Sequence, residues 1–387
     1  MNPKRNLKFK AMKRIKVQPR TNWREKVEEQ GLSYATVDGR LYWDESAAYE
    51  FTAAEVDRLE AAANELHGMC LYAAEMVIKN KWYARLAIPE AVVPLIERSW
   101  EADEPSLYGR FDLAYNGQGD PKLLEYNADT PTSLVEAAVV QWYWLEDVFP
   151  KEDQFNSIHE RLVEAWKRYA ERTKTKRIHL SALRESLEDN QTILYLEDTL
   201  KSAKIEAARL AMEDVGWNGT QFLDLEERAI SDLFKLYPWE WLLAEDFGRH
   251  VARAGTGFIE PAWKILLSNK GILPILWELY PAHPNLLPAF IEVNPVLGAN
   301  YVRKPLLSRE GNNVRRIKSG ITEAESEGPY GEEGFVYQAL VDLGDFDGNH
   351  PTIGAWIVNH ESAGMGIRED RAWISSNNSR FVPHYFR

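Results

Sequence analysis

The chain has 387 residues, 45% of them hydrophobic and 27% charged, which is an ordinary composition for a globular protein. It contains no apolar run of about 18 residues, which argues against a membrane span. The formal charge of −13 argues against a nucleic-acid binder, because such proteins usually carry a basic face. A local group of Lys and Arg side chains could still bind an anionic ligand.

The N-terminal segment is basic and lacks the apolar stretch of a secretory signal. We therefore expect residues 1–20 to form a flexible, solvated tail. An arm that binds a membrane or a nucleic acid is the alternative interpretation.

A helix is predicted over residues 52–80, because Thr52 and Glu55 form a capping-box pattern and apolar residues then recur every three or four positions. Cys70, the only cysteine, lies in this pattern, which favours a buried structural thiol over a nucleophile. A single cysteine excludes an internal disulfide and is typical of a reducing compartment, so we expect a cytoplasmic protein. Further helices are predicted over residues 134–148, 155–172, 227–244 and 270–280.

The C-terminal half has a different pattern of predicted secondary structure. From about residue 177 short strands and helices alternate, and beyond residue 299 short β segments follow one another, separated by Gly, Asn and Asp turns. Two polar stretches, residues 322–334 and 343–351, are predicted to be mobile loops. The pattern indicates an α/β or α+β fold without a clear linker.

The segment GRFDLAYNGQGDPKLLEYNADTPTS contains two alternating runs around a turn, which predicts a β-hairpin. Side chains two residues apart on a strand share a face, so Arg110 and Asp112 point the same way, as do Glu125 and Asn127. If the register brings these faces together, two carboxylates and an amide oxygen converge beside a guanidinium. Such hard oxygen donors suit Mg²⁺. The alternative is a half-exposed hairpin whose arginine pairs with an acid.

Other segments offer further polar side chains. FIEVNP repeats the spacing with Glu292 and Asn294, but without an accompanying Asp and Arg, so it is the weaker metal site. Lys270 stands at the start of an apolar helix, where it could reach an anion. Lys304 lies on an alternating strand that precedes a Gly-containing turn able to present N–H groups to a phosphate. A solvated lysine and a charge-protected edge strand are the alternatives. Arg368 is either a second guanidinium at a reaction centre or part of a surface ion pair.

In their order and spacing, RFDLAYNGQGDPKLLEYNADTPTS, SNKGILPILWELYP, YVRKPLLSREGNNV and GIRED with the ending SRFVPHYF resemble the glutathionylspermidine synthase C-terminal (synthetase) domain family. The resemblance runs from about residue 20 to the end and implies an ATP-grasp-type fold, a mixed central sheet with helices and a β-rich lobe that covers the nucleotide. The chain looks most similar to stand-alone bacterial acid–amine ligases, because the bifunctional synthetases carry an additional Cys-dependent amidase domain. We therefore expect one synthetase domain over residues 21–387, with sub-lobes at 21–176, 177–268 and 269–387.

The resemblance also implies roles for individual residues. The expected magnesium ligands, for two ions, are Asp112, Glu125 and Asn127. The expected catalytic residues are Arg110 and Arg368. The expected ATP-binding residues are Arg110, Lys270, Lys304, Glu310, Gly311, Gln338, Ala339, Leu340, Val341, Trp373, Ile374 and Ser375. The expected substrate-binding residues are Thr130, Thr132, Glu188 and Asp189.

One departure concerns the amine substrate. Arg368 matches a mobile C-terminal arginine of the family. After this arginine the bifunctional enzymes have a Lys and an acid, where this chain has Asn377 and Arg380. An arginine in place of an acid disfavours spermidine.

The resemblance implies ATP-dependent amide formation from a small-molecule or peptide carboxylate and an amine, through an acyl phosphate. Neither a nucleic acid nor a membrane is an expected partner. Two alternatives stay open: a non-catalytic nucleotide- or polyamine-binding module that keeps the fold, and a carbohydrate-active hydrolase built on paired acids and some of the 14 Trp residues.

Overall fold

A computed structural model describes residues 12–37, 39–309, 311–374 and 379–387 of the chain. The α-helices, α1–α10 in chain order, are Trp23–Glu29, Ala53–Asn80, Val93–Glu101, Gln141–Val148, Ile158–Thr173, Leu187–Ser202, Trp239–Ala244, Gly248–Val251, Ile265–Ser268 and Ile272–Leu279. A π-helix, Glu136–Val140, leads directly into α4. Short 3₁₀ segments are Trp82–Leu86, Met212–Asp214, Ala262–Lys264 and Pro295–Leu297. None of the helices within these ranges has the length and apolarity needed to span a bilayer.

The strands, β1–β21 in chain order, are Lys13–Lys16, Thr36–Val37, Arg40–Leu41, Ala47–Phe51, Tyr108–Ala114, Lys122–Asn127, Arg177–Ala182, Glu206–Ala211, Gly216–Trp217, Phe222–Leu223, Asp232–Leu236, Gly257–Ile259, Ala289–Phe290, Tyr301–Pro305, Arg315–Lys318, Ile321–Glu325, Phe335–Ala339, His350–Val358, Glu361–Asp370, Arg380–Val382 and His384–Phe386. The larger sheets have the orders β1-β4-β21, β8-β7-β11-β12, β13-β17-β14-β15-β16 and β20-β19-β18-β5-β6. This mixture of helices with parallel and antiparallel sheets confirms the predicted fold class.

The antiparallel sheet β20-β19-β18-β5-β6 positions the predicted hairpin. In the β5–β6 pair Arg110 lies opposite Asn127 and Asp112 opposite Glu125, so the polar faces come together in the register that the prediction required. Every residue of β5 is buried, since β18 pairs with its other edge and α2 contacts β18. The hairpin is therefore an interior element, and the half-exposed alternative is wrong.

Helix α2 forms where the sequence predicts it. The Thr52 hydroxyl accepts the Glu55 backbone N–H, and the Glu55 carboxylate accepts the Thr52 N–H, so the capping box is complete. Cys70 is fully buried on the apolar face of this helix, and burial raises the pKa of its thiol. This environment agrees with a structural cysteine and disfavours a nucleophile.

The sheet β8-β7-β11-β12 is parallel throughout. A buried ion pair connects it to the segment after β6. Lys235 on β11 donates to Asp129 Oδ1 at 2.7 Å, while Asp129 Oδ2 accepts the Trp239 backbone N–H at 2.9 Å. The Lys235 side chain is fully buried and that of Asp129 nearly so. Burial lowers the pKa of Lys235, and the carboxylate of Asp129 opposes this shift.

Two predicted elements are wrong. Residues 227–244 are not one helix, because Asp232–Leu236 is strand β11 and only Trp239–Ala244 is helical. β11 is buried along its whole length in a parallel sheet, including the charged Asp232 and Lys235, so it lacks the polar–apolar alternation that marks a half-buried strand. Residues 322–334 are not loop throughout, since β16 forms an exposed edge strand against β15.

The predicted flexible tail over residues 1–20 is wrong for residues 12–20. There β1 pairs with β4, and Arg14 donates two hydrogen bonds of 2.8 Å to the buried carboxylate of Glu369. The basic composition therefore serves, in part, to neutralise buried acids. Residues 1–11 lie outside the described residues.

The three predicted sub-lobes also need correction. The parallel sheet lies within residues 177–268. However, strands β18–β20 of the third sub-lobe share a sheet with β5 and β6 of the first. The first and third sub-lobes are therefore joined by backbone hydrogen bonds, a pairing that no local sequence signal reveals.

Replacing Lys235 with Met would leave the buried Asp129 carboxylate without its charged partner. We expect Lys235→Met to lower the free energy of unfolding by about 3–5 kcal/mol in chemical denaturation. Lys167→Met, on the exposed face of α5, is the matched control and should stay within about 0.5 kcal/mol of the wild type. A Lys235→Met protein as stable as this control would contradict the role of the ion pair.

Candidate active site

One cavity of about 410 Å³ lies where the β5–β6 hairpin, the parallel sheet and the sheet containing β14 and β17 meet. Every predicted site residue in the described part of the chain lines it: Arg110, Asp112, Glu125, Asn127, Thr130, Thr132, Glu188, Asp189, Lys270, Lys304, Gly311, Gln338, Ala339, Leu340, Val341, Arg368, Trp373 and Ile374. Glu310 and Ser375 lie outside the described residues. The fold thus brings the predicted residues together, and the role of each stays a prediction.

Three oxygen-bearing side chains converge on the hairpin. Asn127 Nδ2 lies 3.3 Å from Asp112 Oδ2 and 3.4 Å from Glu125 Oε1. A half-turn of the amide would direct its Oδ1 to the same point, because the assignment of O and N in an amide follows the hydrogen bonds around it. The described residues contain no group of three or more His, Cys, Asp or Glu side chains arranged for a metal ion. Two carboxylates and one amide nevertheless fit Mg²⁺, which takes few protein ligands and keeps water and phosphate oxygens.

Two arginines flank Asp112. Arg110 Nε donates to Asp112 Oδ1 at 2.7 Å, and Arg368 Nη2 donates to Asp112 Oδ2 at 3.2 Å. Arg110 Nη1 also donates to the Thr132 carbonyl oxygen at 2.5 Å. The paired carboxylate therefore orients both guanidinium groups at the cavity wall.

Gly354 on β18 makes room for this arrangement. It lies opposite Asp112 in the register of β18 with β5, and a Cβ at this position would lie 2.8 Å from Arg110 Cδ. A larger residue would displace the guanidinium. Sequence analysis missed this position, although an isolated glycine inside the alternating strand TIGAWIVN is a signal of close approach.

Two lysines from other elements line the cavity, and Lys270 forms an ion pair with Glu125. Lys270 Nζ lies 3.0 Å from Glu125 Oε2 and donates to the Ser308 carbonyl at 2.8 Å, and Lys304 Nζ donates to Gln338 Oε1 at 2.9 Å. Burial alone would raise the pKa of Glu125, but the charges of Lys270 and Lys304 outweigh it and lower the pKa to about 2. Burial lowers the pKa of Lys304 to about 8. This concentration of positive charge suits an anionic ligand.

The predicted ATP-binding residues Gln338, Ala339, Leu340 and Val341 run from the end of β17 into the segment that follows it. The Gln338 side chain is turned toward the hairpin, where its Nε2 donates to the Leu123 carbonyl at 2.9 Å. The backbone N–H groups of Ala339 and Leu340 donate to the carbonyls of Pro288 and Asn300. An adenine edge at this place would therefore have to use other groups of residues 338–341.

Trp373 is held between two elements. Its ring stacks on His350 with centroids 3.6 Å apart, and the Arg316 guanidinium carbon lies 4.3 Å from the Trp373 ring centroid, within the range of a cation–π interaction. Since Arg316 is on β15 and His350 on β18, Trp373 links the two antiparallel sheets that border the cavity.

The remaining wall carries the predicted substrate residues. Thr130 Oγ1 accepts a hydrogen bond of 2.7 Å from Arg309 Nη1. The Thr132 hydroxyl donates to Glu188, which stands with Asp189 in the first turn of α6. Acidic side chains thus lie next to the segment whose carbonyl binds Arg110.

The sequence model of the family described as "Glutathionylspermidine synthase preATP-grasp" matches residues 14–387. The chain belongs to this family. A Haemophilus influenzae relative named "Putative acid--amine ligase" is 46% identical over 90% of this chain and 92% of its own. Trypanothione synthetase from Crithidia fasciculata is 31% identical over 84% of this chain and 54% of its own. The bifunctional glutathionylspermidine synthetase/amidase of Escherichia coli is 26% identical over 93% of this chain and 63% of its own.

Family membership confirms the resemblance seen in the sequence, and the ligase and synthetase names of these relatives confirm the predicted enzyme class of carbon–nitrogen ligase. The chain spans nearly the whole Haemophilus relative but only 54% and 63% of the other two. The activities of those longer proteins are therefore only proposals for this chain.

In this family member the cavity contains further polar residues that the predicted site omits. Arg309 contacts Thr130, and its Nε lies 3.8 Å from Glu240 Oε1. Burial raises the pKa of Glu240, and the Arg309 charge opposes this shift. Arg309 directly precedes the predicted phosphate loop, and Glu240 interrupts the apolar run YPWEWLL, so both positions carry a weak signal in the sequence.

The structure removes the basis for excluding spermidine. Arg380 Nη1 lies 3.2 Å from Asp44 Oδ2 and its Nη2 lies 2.8 Å from Glu369 Oε1. The described residues that line the cavity do not include Arg380. Because Asp44 and Glu369 neutralise the charge of Arg380, this arginine does not disfavour a cationic amine substrate. Asn377 lies outside the described residues.

Proposed function

We propose that the protein is an ATP- and Mg²⁺-dependent acid–amine ligase that forms an amide bond through an acyl phosphate. One observation carries the proposal: a single cavity joins an arginine- and lysine-rich end to an acidic wall, and three oxygen donors lie at its cationic end. A carboxylate, a triphosphate and an amine are the three groups that such a reaction must bring together.

The first step places the nucleotide. Lys270 and Lys304 bind the phosphate groups, since both lysines line the cavity and the positive charges of both favour an anion there, as they do for the Glu125 carboxylate. Asp112, Glu125 and Asn127 would hold Mg²⁺, whose charge offsets that of the phosphate oxygens.

In the chemical steps the substrate carboxylate attacks the γ-phosphorus of ATP and ADP leaves. The amine then attacks the acyl carbon of the acyl phosphate and inorganic phosphate leaves. Arg110 and Arg368 donate to the oxyanion that develops on the acyl carbon, because Asp112 already orients both guanidinium groups. Residues Ser308, Arg309, Gly311, Trp373 and Ile374 line the cavity outside the paired strands and are the candidates for a cover that keeps water from the acyl phosphate, whereas residues 364–370 belong to the buried strand β19.

The alternatives receive less support. Trp43, Trp144, Trp166, Trp239 and Trp356 are fully buried, so these five serve the core rather than a sugar-binding surface. A hydrolase would also have no use for the paired lysines. A non-catalytic module would bind the nucleotide but release no ADP with any pair of acid and amine.

Removal of one metal ligand or one phosphate-binding lysine should abolish turnover. We expect Asp112→Ala and Lys304→Ala each to lower ADP release by about 10²-fold or more, because a preorganised charge at the phosphates is lost. The assay is ADP release over a matrix of peptides, glutathione-like acids, amino acids and polyamines. Circular dichroism should show a folded chain.

The matched controls are Asp120→Ala in the hairpin turn and Lys318→Ala on β15, both at exposed positions. Both controls should keep wild-type turnover. Normal ADP release by Asp112→Ala or Lys304→Ala would refute the assignment of the site.

Nucleotide binding by itself separates the ligase from the hydrolase. Mg·ATP at about 100 times its Kd should stabilise the wild type by about 2.7 kcal/mol, because a ligand that binds only the folded state shifts the unfolding equilibrium. The measurement is the melting temperature with and without Mg·ATP, with Lys304→Ala as the variant that should lose the shift. An unchanged wild-type melting temperature favours the hydrolase, and a shift without ADP release favours the non-catalytic module.

A further inference from the structure

Formation of the acyl phosphate activates the carboxylate, but the amine must also lose a proton before it can react. An alkyl amine arrives at neutral pH as an ammonium ion, which has no lone pair and cannot attack an acyl carbon. A ligase that uses such an amine needs a proton acceptor close to the acyl phosphate. This requirement rests on the proposed function above.

Glu188 lies where such a group is needed. It lines the cavity from the first turn of α6, and its carboxylate accepts the Thr132 hydroxyl. The carbonyl of the same Thr132 accepts a 2.5 Å hydrogen bond from Arg110, the guanidinium assigned to the reacting carboxylate. One residue therefore separates Glu188 from the oxyanion-binding arginine.

We propose that Glu188 is the general base that deprotonates the amine, and that the buried carboxyl of Glu136 supports it in this role. Glu188 thereby gains a catalytic role beyond the binding of an ammonium group. Glu136, which does not line the cavity among the described residues, is a positioning residue that acts through Glu188.

Glu136 has unusual surroundings for a carboxyl group. It lies on the π-helix with no exposed surface, and its Oε1 accepts the hydroxyls of Tyr34 at 3.0 Å and Tyr42 at 2.6 Å. Its Oε2 is buried and has no hydrogen-bond partner among the described residues. A carboxyl oxygen in this position costs free energy, which a purely structural role does not explain.

The charges around Glu188 work mainly in one direction. Burial raises its pKa to about 7, the negative charges of Glu136 and Asp189 add to the rise, and the Thr132 hydroxyl and the Arg368 guanidinium oppose it. Burial likewise raises the pKa of Glu136. A base is most effective when its pKa lies near the working pH, so this environment suits proton transfer at neutral pH.

The hydroxyls of Tyr34 and Tyr42 also face this pair of carboxyl groups, and burial together with the acidic charges raises the pKa of both phenols well above the ordinary value. Both tyrosines therefore stay protonated and do not compete as bases. Tyr42 also lies 3.3 Å from the Ser133 hydroxyl, which ties the pair to the segment that carries Thr132.

The proposed step balances as follows. One ammonium N–H bond breaks and its proton goes to a Glu188 carboxylate oxygen, which leaves the lone pair on nitrogen. This lone pair forms the bond to the acyl carbon, and the bond from that carbon to the phosphate oxygen breaks when the tetrahedral species collapses. The second nitrogen proton leaves with the departing phosphate, and Glu188 returns its proton to solvent.

The first test compares two nucleophiles, with glutathione as the carboxylate probe. Spermidine must lose a proton before it attacks, whereas hydroxylamine is largely unprotonated at neutral pH and needs no base. We expect Glu188→Gln to lower kcat with spermidine by about 10²- to 10⁴-fold. Hydroxylamine-dependent ADP release should fall less than about threefold, because acyl phosphate formation does not use Glu188.

Two variants serve as comparisons. Glu185→Gln, at an exposed position just before α6, should match the wild type with both nucleophiles. Asp189→Asn should raise KM for spermidine but keep kcat within about tenfold. Equal losses with both nucleophiles in Glu188→Gln, or no loss with either, would overturn the proposal.

The second test does not depend on turnover. Carbon-13 NMR of glutamate carboxyl groups should show a signal that titrates near pH 7 and is absent from Glu188→Gln. In Glu136→Gln the titration should move to lower pH, because removal of the neighbouring negative charge favours the ionised form of Glu188. The acidic limb of kcat/KM for spermidine should move in the same direction and vanish in Glu188→Gln.

These two readouts separate the possible failures. A wild type that releases no ADP with hydroxylamine and the full panel of acids contradicts the ligase itself. A Glu188 carboxyl that titrates below about pH 5, as an ordinary glutamate does, overturns the base assignment whatever the activity of the wild type.

Discussion

The candidate site depends on the register of one β-hairpin. Because strand side chains alternate between two faces, a slip of one residue between β5 and β6 would turn Asp112 and Glu125 to opposite faces. The apolar face holds the register, since Phe111 and Tyr126 stack there with ring centroids 4.0 Å apart. Pairing of β18 with the other edge of β5 then brings Arg368 to the same carboxylate through the adjacent β19. The core therefore determines where the polar groups meet.

Burial of so many charges requires that they neutralise one another. Asp112 is paired with two arginines and Glu125 with Lys270, and the segment after the hairpin is fixed by Asp129 and Lys235. Unpaired, any of these groups would be costly at this depth. Under the proposed function, Mg·ATP brings a cation and an anion together, so it can exchange with these ion pairs without leaving a charge uncompensated. Glu188 and Glu136 are the exception, because two acids lie close together, and this is the place where a proton would be transferred.

The sequence predicted the elements whose signals are local. The capping box and apolar spacing of α2, the apolar face of α5 and the turn of the hairpin all depend on neighbours a few residues away. The failures have a different origin. β11 was mistaken for part of a helix because it is short and buried on both faces, so its residues do not alternate between polar and apolar. The basic N-terminal segment looks solvated because the acids that pair with it, such as Glu369, lie far along the chain. Gly354, Arg309 and Glu240 were missed for the same reason, since their importance follows from contacts across the cavity.

By itself, the sequence determined the fold class, the family and the identity of most polar residues in the cavity, because these follow from the residue types and their order along the chain. Tertiary structure alone decided which of these groups touch. It paired Asp112 with Arg110 and Arg368, brought Glu188 within the electrostatic influence of the buried Glu136, and turned Arg380 toward Glu369 instead of the cavity. The physical reason is that charge interactions depend on distance and burial, and neither quantity is set until strands from both ends of the chain lie side by side in one sheet.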